Sequence, residues 1–192
     1  LDAGWSLRAN VGGIATMCRE ACIKVRLVEG VDLGHLHEIF IEHSYGHQFS
    51  GTVIDVGASN ADSSIFFALN GASRVIALEP DPESFALAMD NVTMNDLQNR
   101  ITLVNAALAA DDGYAELLRP AASPNASSLN PVDGVQHIVN FDGAVRVKVK
   151  KISLPTLMGG NMGLIKSACS RWTARDASTR SSERPPRIYW SA

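Results

Sequence analysis

Apolar residues along this chain fall into short runs, and the small and polar residues between them recur at a spacing that alternates strand with helix. "TVIDV", residues 52–56, is an apolar run of strand length released by Gly51, and "RVIALEP" is a second one that Pro80 closes. Between them a helix begins near Asp62, carries Ile65, Ala68 and Leu69 on one side, and ends at Gly71. Asp81 caps the next helix, with Pro82 at the first helical position, where its missing N–H costs nothing. Phe85, Ala88, Met89 and Val92 give that helix an apolar stripe at i, i+3, i+4 and i+7. "ITLVNAAL" reads as a third strand. Strand, helix, strand, helix, strand in succession predicts parallel pairing within an α/β sheet.

Upstream, residues 1–31 form a mixed lead-in in which "IATMCREACIKV" predicts an amphipathic helix. "DLGHLHEIFIEHSYGH" predicts a second helix, capped by Asp32 and ended by Gly46, with Leu36, Ile39, Phe40 and His43 at helical spacing. Downstream of Asp111, "DDGYAELL" and "AVRVKVKKISL" read as strands around a polar loop at 120–143, and "MGLIK" as one more buried strand. No internal repeat is present. Residues 167–192 differ in kind: they hold five of the chain's twelve arginines, six serines and two of its three tryptophans, yet no lysine, valine or leucine. With no apolar period left, that stretch reads either as a disordered polar tail or as a segment foreign to the fold. The resulting layout is a helical lead-in over 1–50, an α/β domain over 51–166 and an atypical tail over 167–192.

A chain of 192 residues, 46% of them hydrophobic, suffices for one domain with a sizeable core. A net charge of −3 supplies no basic field for nucleic acid or for an anionic membrane, and no apolar run approaches the roughly 20 residues that span a bilayer. Three cysteines, an odd number, argue against a disulfide framework. Cys18 and Cys22, four apart, suit one helix face better than a metal knuckle or a redox pair, so a reducing, cytoplasmic setting is expected. His35, His37, His43 and His47 lie close together, but no carboxylate or cysteine completes a ligand set, and no metal site is predicted. His43 is expected to be packed and hydrogen-bonded. "NVT" and "NAS" match the glycosylation acceptor pattern, which carries weight only on a secretory route, and "RVKVKK" reads as a solvated strand face. Asp133 and His137, in the polar loop, are weak candidates for an acceptor pocket.

The candidate chemistry sits in "VIDVGASNADSSIFF", residues 53–67, where a strand enters a small-residue loop and then a helix N-terminus, the general nucleotide-cofactor arrangement of parallel sheets. A dinucleotide would need further loop glycines, and its pyrophosphate would meet Asp55 and Asp62 at a cost of several kcal/mol. S-adenosyl-L-methionine carries no phosphate and presents cations, which Asp55 can face. N–H groups at the start of the helix would take its carboxylate, helped by the Ser63 or Ser64 hydroxyl, and Gly57, Ala58, Ser59, Asn60, Asp62 and Ser63 join Asp55 as the expected cofactor-binding residues of this segment. Glu79, followed by Pro80 at the end of the second strand, is placed to accept from both ribose hydroxyls, and the backbone at Asn105 and Ala106 to edge the adenine. Because nicotinamide sites use the same acid, Glu79 identifies adenosine and not the cofactor class.

"VIDVGASNADSSIFFALNGASRVIALEPDPESFALAMDNVTMN" resembles the FkbM-like family of S-adenosylmethionine-dependent methyltransferases, whose usual loop reads D-x-G-A-x-x-G-D with an E-P after the second strand. "EIFIEHSYG", "ITLVNAALAADDG" and "KKISLPTL" leading to "MGLIK" extend the likeness over Leu36 to Lys166. Ala61 stands where that family has glycine. The resemblance implies a Rossmann-like class I methyltransferase fold with a mostly parallel sheet, and methyl transfer to a hydroxyl of a small molecule or sugar. It also suggests that Tyr45 closes over the cofactor, although a core tyrosine fits as well. After Lys166 the family's acidic D-x-E-G stretch and later strands are replaced by "SACSRW", so the chain reads as truncated or frame-shifted there, and the proton-accepting residue cannot be named. Two alternatives stand beside this reading: a non-catalytic remnant that at most binds cofactor, and an NAD-dependent oxidoreductase.

Overall fold

The alternation of short apolar strands with helices gives the parallel sheet it predicts. The computed structural model describes residues 4–11, 13–20, 22–27, 32–120, 143–159 and 187–190. Strands β4 (Thr52–Val56), β5 (Arg74–Leu78) and β6 (Ile101–Val104) pair in parallel, joined by helices α2 (Asp62–Leu69) and α3 (Pro82–Met94). The pleat sorts side chains by parity. Val53, Val75 and Ala77 join the core that includes Phe40, Ile65, Phe66 and Ala88 from the helices, while Ile54, Val56, Ile76 and Leu78 join a second core with Ile152 and Leu157. Both faces of these strands are therefore covered, which is why they read as continuous apolar runs.

Asp81 caps α3 as expected, accepting from the N–H groups of Glu83 and Ser84, with Pro82 opening the helix. The buried side of α3 is Ser84, Ala88, Asn91 and Val92; Met89, assigned to the apolar stripe, is exposed and Phe85 only half-buried. The run "ITLVNAAL" divides at Asn105, and its second part, β7 (Ala107–Ala109), belongs to another sheet. There β7 runs parallel to β9 (Val145–Ser153), which pairs antiparallel with β8 (Gly113–Arg119), and a short helix α4 (Leu154–Gly159) follows. The strand expected over Met162–Lys166, the polar loop with Asp133 and His137, and Cys169 all lie outside the described residues. Within the stretch read as an atypical tail, Arg187–Trp190 is strand β10, parallel to β4 at the sheet edge. Its Tyr189 ring lies tilted against Phe67 at 4.8 Å and meets Phe49 edge-on at 5.6 Å, so aromatic contacts fasten it to α2.

The N-terminal region corrects three expectations. "IATMCREACIKV" is a hairpin, β2 (Ile14–Cys18) and β3 (Cys22–Arg26), which forms a three-stranded antiparallel sheet with β1 (Ser6–Val11). Ala15, Met17, Ile23 and Val25 are the buried positions, a period of two that outweighs the coincidental helical spacing. Cys18 and Cys22 are register partners beside the turn and are joined as a disulfide, so their spacing marks a hairpin and not a helix face. Helix α1 (Asp32–Phe40) ends well before Gly46, because His43 adopts a left-handed φ of 55° and the Ser44 N–H and hydroxyl turn back onto the Glu38 carbonyl. His43 and His47 therefore share a turn, their rings 4.4 Å apart. Burial and then the neighbouring His47 lower the His43 pKa, a hydrogen bond to the Gly46 backbone raises it, and the ring's Nδ1 is buried with no hydrogen-bond partner among the described residues.

Gly71, at the exit from α2, has φ +106°, and a Cβ there would stand 2.6 Å from the Phe49 carbonyl oxygen. That backbone cannot retreat freely, since the Phe49 N–H donates to Asn70 O and its ring lies in the aromatic cluster. Gly71→Ala should destabilise the protein by more than about 1 kcal/mol, read from urea unfolding midpoints, because both the conformation and the contact oppose it. An unchanged midpoint would show that this turn can relax.

Candidate cofactor site

Parity along β4 decides where Asp55 goes. Two residues after Val53, it lies on the α2 side of the sheet, fully buried, and its Oδ2 accepts from the hydroxyls of Ser63 (2.7 Å) and Ser64 (2.5 Å). The chain leaves the sheet at Gly57, with φ 79°, and the N–H groups of Gly57 and Ala58 both donate to Leu78 O. Ser59 and Ala61 also have positive φ, 46° and 67°, so the loop alternates left-handed positions over only a few residues. An L-residue there costs about 1–2 kcal/mol, and such strain persists only where surrounding contacts over-determine the backbone. The glycine usual at position 61 in the resembling family thus has a conformational reason, and Ala61, itself fully buried, meets the demand at a cost.

The contacts that hold the loop are specific. Ser59 N–H donates to Glu79 Oε2 at 2.8 Å, and Ala61 N–H to Ala58 O at 2.7 Å. Buried Asn60 accepts from Asp62 N–H at 3.2 Å and directs its Nδ2 to Arg26 O at 3.4 Å. Asp62 in turn accepts from Ser63 N–H at 2.7 Å. The start of α2 is therefore supplied with acceptors by its own loop, and the Ser63 and Ser64 hydroxyl protons go to Asp55. These hydroxyls and the N–H groups of Asp62 and Ser63, expected to take a ligand carboxylate, thus have acceptors within the protein itself.

Glu79 follows β5, 6% exposed, with Oε2 on Ser59 N–H and Oε1 on Asp81 N–H at 2.7 Å. Burial pushes its carboxyl up to about 7; the hydrogen bonds from Asp81 and Ser59 pull it down, and the carboxylates of Asp81 and Asp55 raise it further. Asn105, just past β6, clamps the same corner by donating to the carbonyls of Glu79 (2.9 Å) and Pro80 (3.2 Å), and the Ala106 N–H closes onto Val104 O. Asp55, Gly57, Ala58, Ser59, Asn60, Asp62, Ser63, Glu79, Pro80, Asn105 and Ala106 are thus gathered at the carboxyl ends of β4, β5 and β6, where ligands bind in open α/β sheets.

The residues present suit an adenosine cofactor. Each Glu79 oxygen accepts one backbone N–H, and a carboxylate has about four acceptor sites, so capacity for two ribose hydroxyls remains. Tyr45, by contrast, meets Phe67 and Tyr189 edge-on and is built into the aromatic cluster. Among the described residues no group of three or more His, Cys, Asp or Glu could hold a metal ion, and no helix is long and apolar enough to cross a membrane. Sequence reasoning missed Asn91 and Arg119. Arg119 reaches back from β8 to Asp81 Oδ1 (3.4 Å) and Glu83 (2.7 Å), a pairing across distant segments that leaves no local signal. Asn91 did leave one: a poor helix former inside a helix, four residues before a second asparagine, Asn95, at its C-cap.

A ribosomal protein L11 methyltransferase of Geobacter sp. (strain M21) is 30% identical over 101 residues, which are 53% of this chain and 28% of that protein. Its counterpart from Carboxydothermus hydrogenoformans is 36% identical over 52 residues, 27% of this chain and 17% of the relative. The match thus spans less than a third of either relative. Among solved structures, P. horikoshii TYW2 in complex with MeSAdo is 18% identical, covers 50% of this chain and 36% of its own, and superposes with a TM-score of 0.37. The family model of the methyltransferase FkbM domain matches residues 55–166, more than half of the 192 residues and the whole of the site just described. With its loop, its Glu79–Pro80 corner and its parallel sheet, this chain belongs to the FkbM methyltransferase domain family.

Proposed function

We propose that the site binds S-adenosyl-L-methionine and that the protein transfers its methyl group to a hydroxyl of a small molecule or sugar. When bound, the cofactor supplies a methyl group already activated on a sulfonium. The chain's own part is to bind and orient. Glu79 would hold the ribose, the corner clamped by Asn105 would edge the adenine, and the loop from Gly57 to Asp62 would flank the methionine portion. A hydroxyl acceptor rests on the family resemblance, and a net charge of −3 speaks for a small polar acceptor over a polyanion.

One observation carries the choice of cofactor: the start of α2 already has its acceptors. Asn60, Asp62 and Asp55 surround it with amide and carboxyl oxygens, all buried. A diphosphate seated there would have to displace those oxygens and stand against two buried carboxyl groups, an arrangement that costs several kcal/mol. A phosphate-free compound carrying positive charge meets no such opposition. Titration calorimetry separates the classes: S-adenosylhomocysteine should bind and NAD should not, and the reverse result would assign the site to a dinucleotide.

Two predictions follow from Glu79. Glu79→Ala should weaken S-adenosylhomocysteine by about 2 kcal/mol, roughly 30-fold, the scale of lost hydrogen bonds to a charged group. Ribose hydroxyls donate to the ionised carboxylate, so with a carboxyl at about 7 in the free protein, affinity should rise roughly tenfold from pH 6 to pH 8. A dissociation constant indifferent to both changes would remove Glu79 from the site.

Stability should move the opposite way with pH. Below 4.5 the group is protonated whether folded or not; between 4.5 and about 7 only the unfolded chain ionises, which favours unfolding. The Glu79 contribution is therefore fully present at low pH and lost as pH rises to about 7, by roughly 3 kcal/mol in all. Urea unfolding of the wild type and Glu79→Gln should show their stability difference change by about 2.5 kcal/mol of that between pH 5 and pH 8. Parallel curves would mean the carboxyl titrates normally.

A further inference from the structure

Asn91 in α3 and Asn95, the residue that caps its C-terminus, lie about one turn apart, and each pairs with one residue of β3 as a neighbouring strand would. Asn91 Oδ1 accepts from Arg26 N–H at 2.7 Å and its Nδ2 donates to Arg26 O at 3.0 Å. Asn95 Oδ1 accepts from Lys24 N–H at 2.9 Å and its Nδ2 donates to Lys24 O at 2.7 Å. The geometry has a simple cause. Four residues of helix rise about 6 Å and two residues of strand about 6.6 Å, so side-chain amides at i and i+4 match alternate residues of a strand. An asparagine amide also carries the same donor and acceptor as a peptide unit.

The two asparagines differ in where the second Nδ2 hydrogen goes. In Asn95 it returns to its own helix, at Asn91 O, 2.7 Å away. In Asn91 it goes to Asn60 O at 2.8 Å, inside the loop that follows β4. Asn60 lies between Ser59 and Ala61, the two non-glycine residues of that loop held at positive φ. Asn60 also sends its own Nδ2 to Arg26 O, so the loop, α3 and β3 meet at one point. The same Asn91 belongs to the "NVT" triplet; it is fully buried, which excludes it as a glycosylation acceptor in the folded protein.

We propose that Asn91 is a positioning residue for the cofactor loop: by joining Asn60 O to β3 it holds the strained loop in the ligand-accepting conformation, and the N-terminal hairpin is thereby part of the site's support. The inference rests on the cofactor reading above. Asn95 is the internal control, since it makes the same strand pairing without touching the loop.

The test compares Asn91→Asp with Asn95→Asp. Each keeps the acceptor for the β3 N–H and removes both donors; Asn91→Ala, which introduces no buried charge, serves if Asn91→Asp does not fold. Two readouts are taken on each folded variant: amide hydrogen exchange at residues 59–63 in the free protein, and the dissociation constant for S-adenosylhomocysteine. Loss of Asn91 should speed exchange in the loop at least tenfold and weaken binding about tenfold, whereas Asn95→Asp should leave both within about twofold while still lowering the unfolding midpoint. Unchanged loop exchange in the Asn91 variants, or equal effects from Asn91 and Asn95, overturns the proposal. So does faster exchange with unchanged affinity. If S-adenosylhomocysteine does not bind the wild-type protein at all, the cofactor reading fails instead, and the exchange comparison alone then decides whether Asn91 holds the loop.

Discussion

The buried Glu79 carboxylate is the interaction on which the rest of the site depends. Its side chain touches both ends of the corner, with one oxygen on the Ser59 N–H of the first loop and the other on the Asp81 N–H at the start of α3. Burial makes the charged form costly, and the two backbone donors are what make it tolerable. A glutamine at this position could keep one acceptor but would turn a donor toward one of those N–H groups. The corner thus uses both oxygens of this carboxyl group for its own architecture.

Around that corner the loop is held against its own backbone preferences. Ser59 and Ala61 together store a few kcal/mol in left-handed conformations. The offsetting bonds come from three separate parts of the chain: Glu79 after β5, Asn91 on α3, and Arg26 in the N-terminal hairpin. That hairpin carries the Cys18–Cys22 disulfide directly across its turn, and so the loop's outermost support is covalently closed. Strain in the loop and dispersed support for it belong together, because contacts from distant segments over-determine a backbone that would otherwise relax.

Much of this was legible in the sequence. Strands β4 and β5, the capped helix α3 with Pro82, and the placing of Asp55 and Glu79 at strand ends all follow from short apolar runs, a cap motif and the order of elements. What was not legible has physical reasons. Hairpin β2–β3 shows helical and strand periodicities at once, and only the burial of Ala15, Met17, Ile23 and Val25 decides between them. The role of the Ser63 and Ser64 hydroxyls depends on the parity that turns Asp55 toward α2, a tertiary fact. Strand β10 has no apolar period to announce it; its Tyr189 is recruited by an aromatic cluster assembled from Phe49 and Phe67. The pairing of α3 with β3 joins residues 65 positions apart, beyond the reach of any local pattern.

The central claim is that the tip of the first parallel strand is built for a phosphate-free adenosine compound whose ribose rests on Glu79. A crystal structure of the protein with S-adenosylhomocysteine tests it most directly. The account predicts both ribose hydroxyls within hydrogen-bonding distance of the Glu79 carboxylate, with the loop from Gly57 to Ala61 unmoved. A ligand bound away from Glu79, or a diphosphate compound seated at the start of α2 in competing soaks, would contradict it.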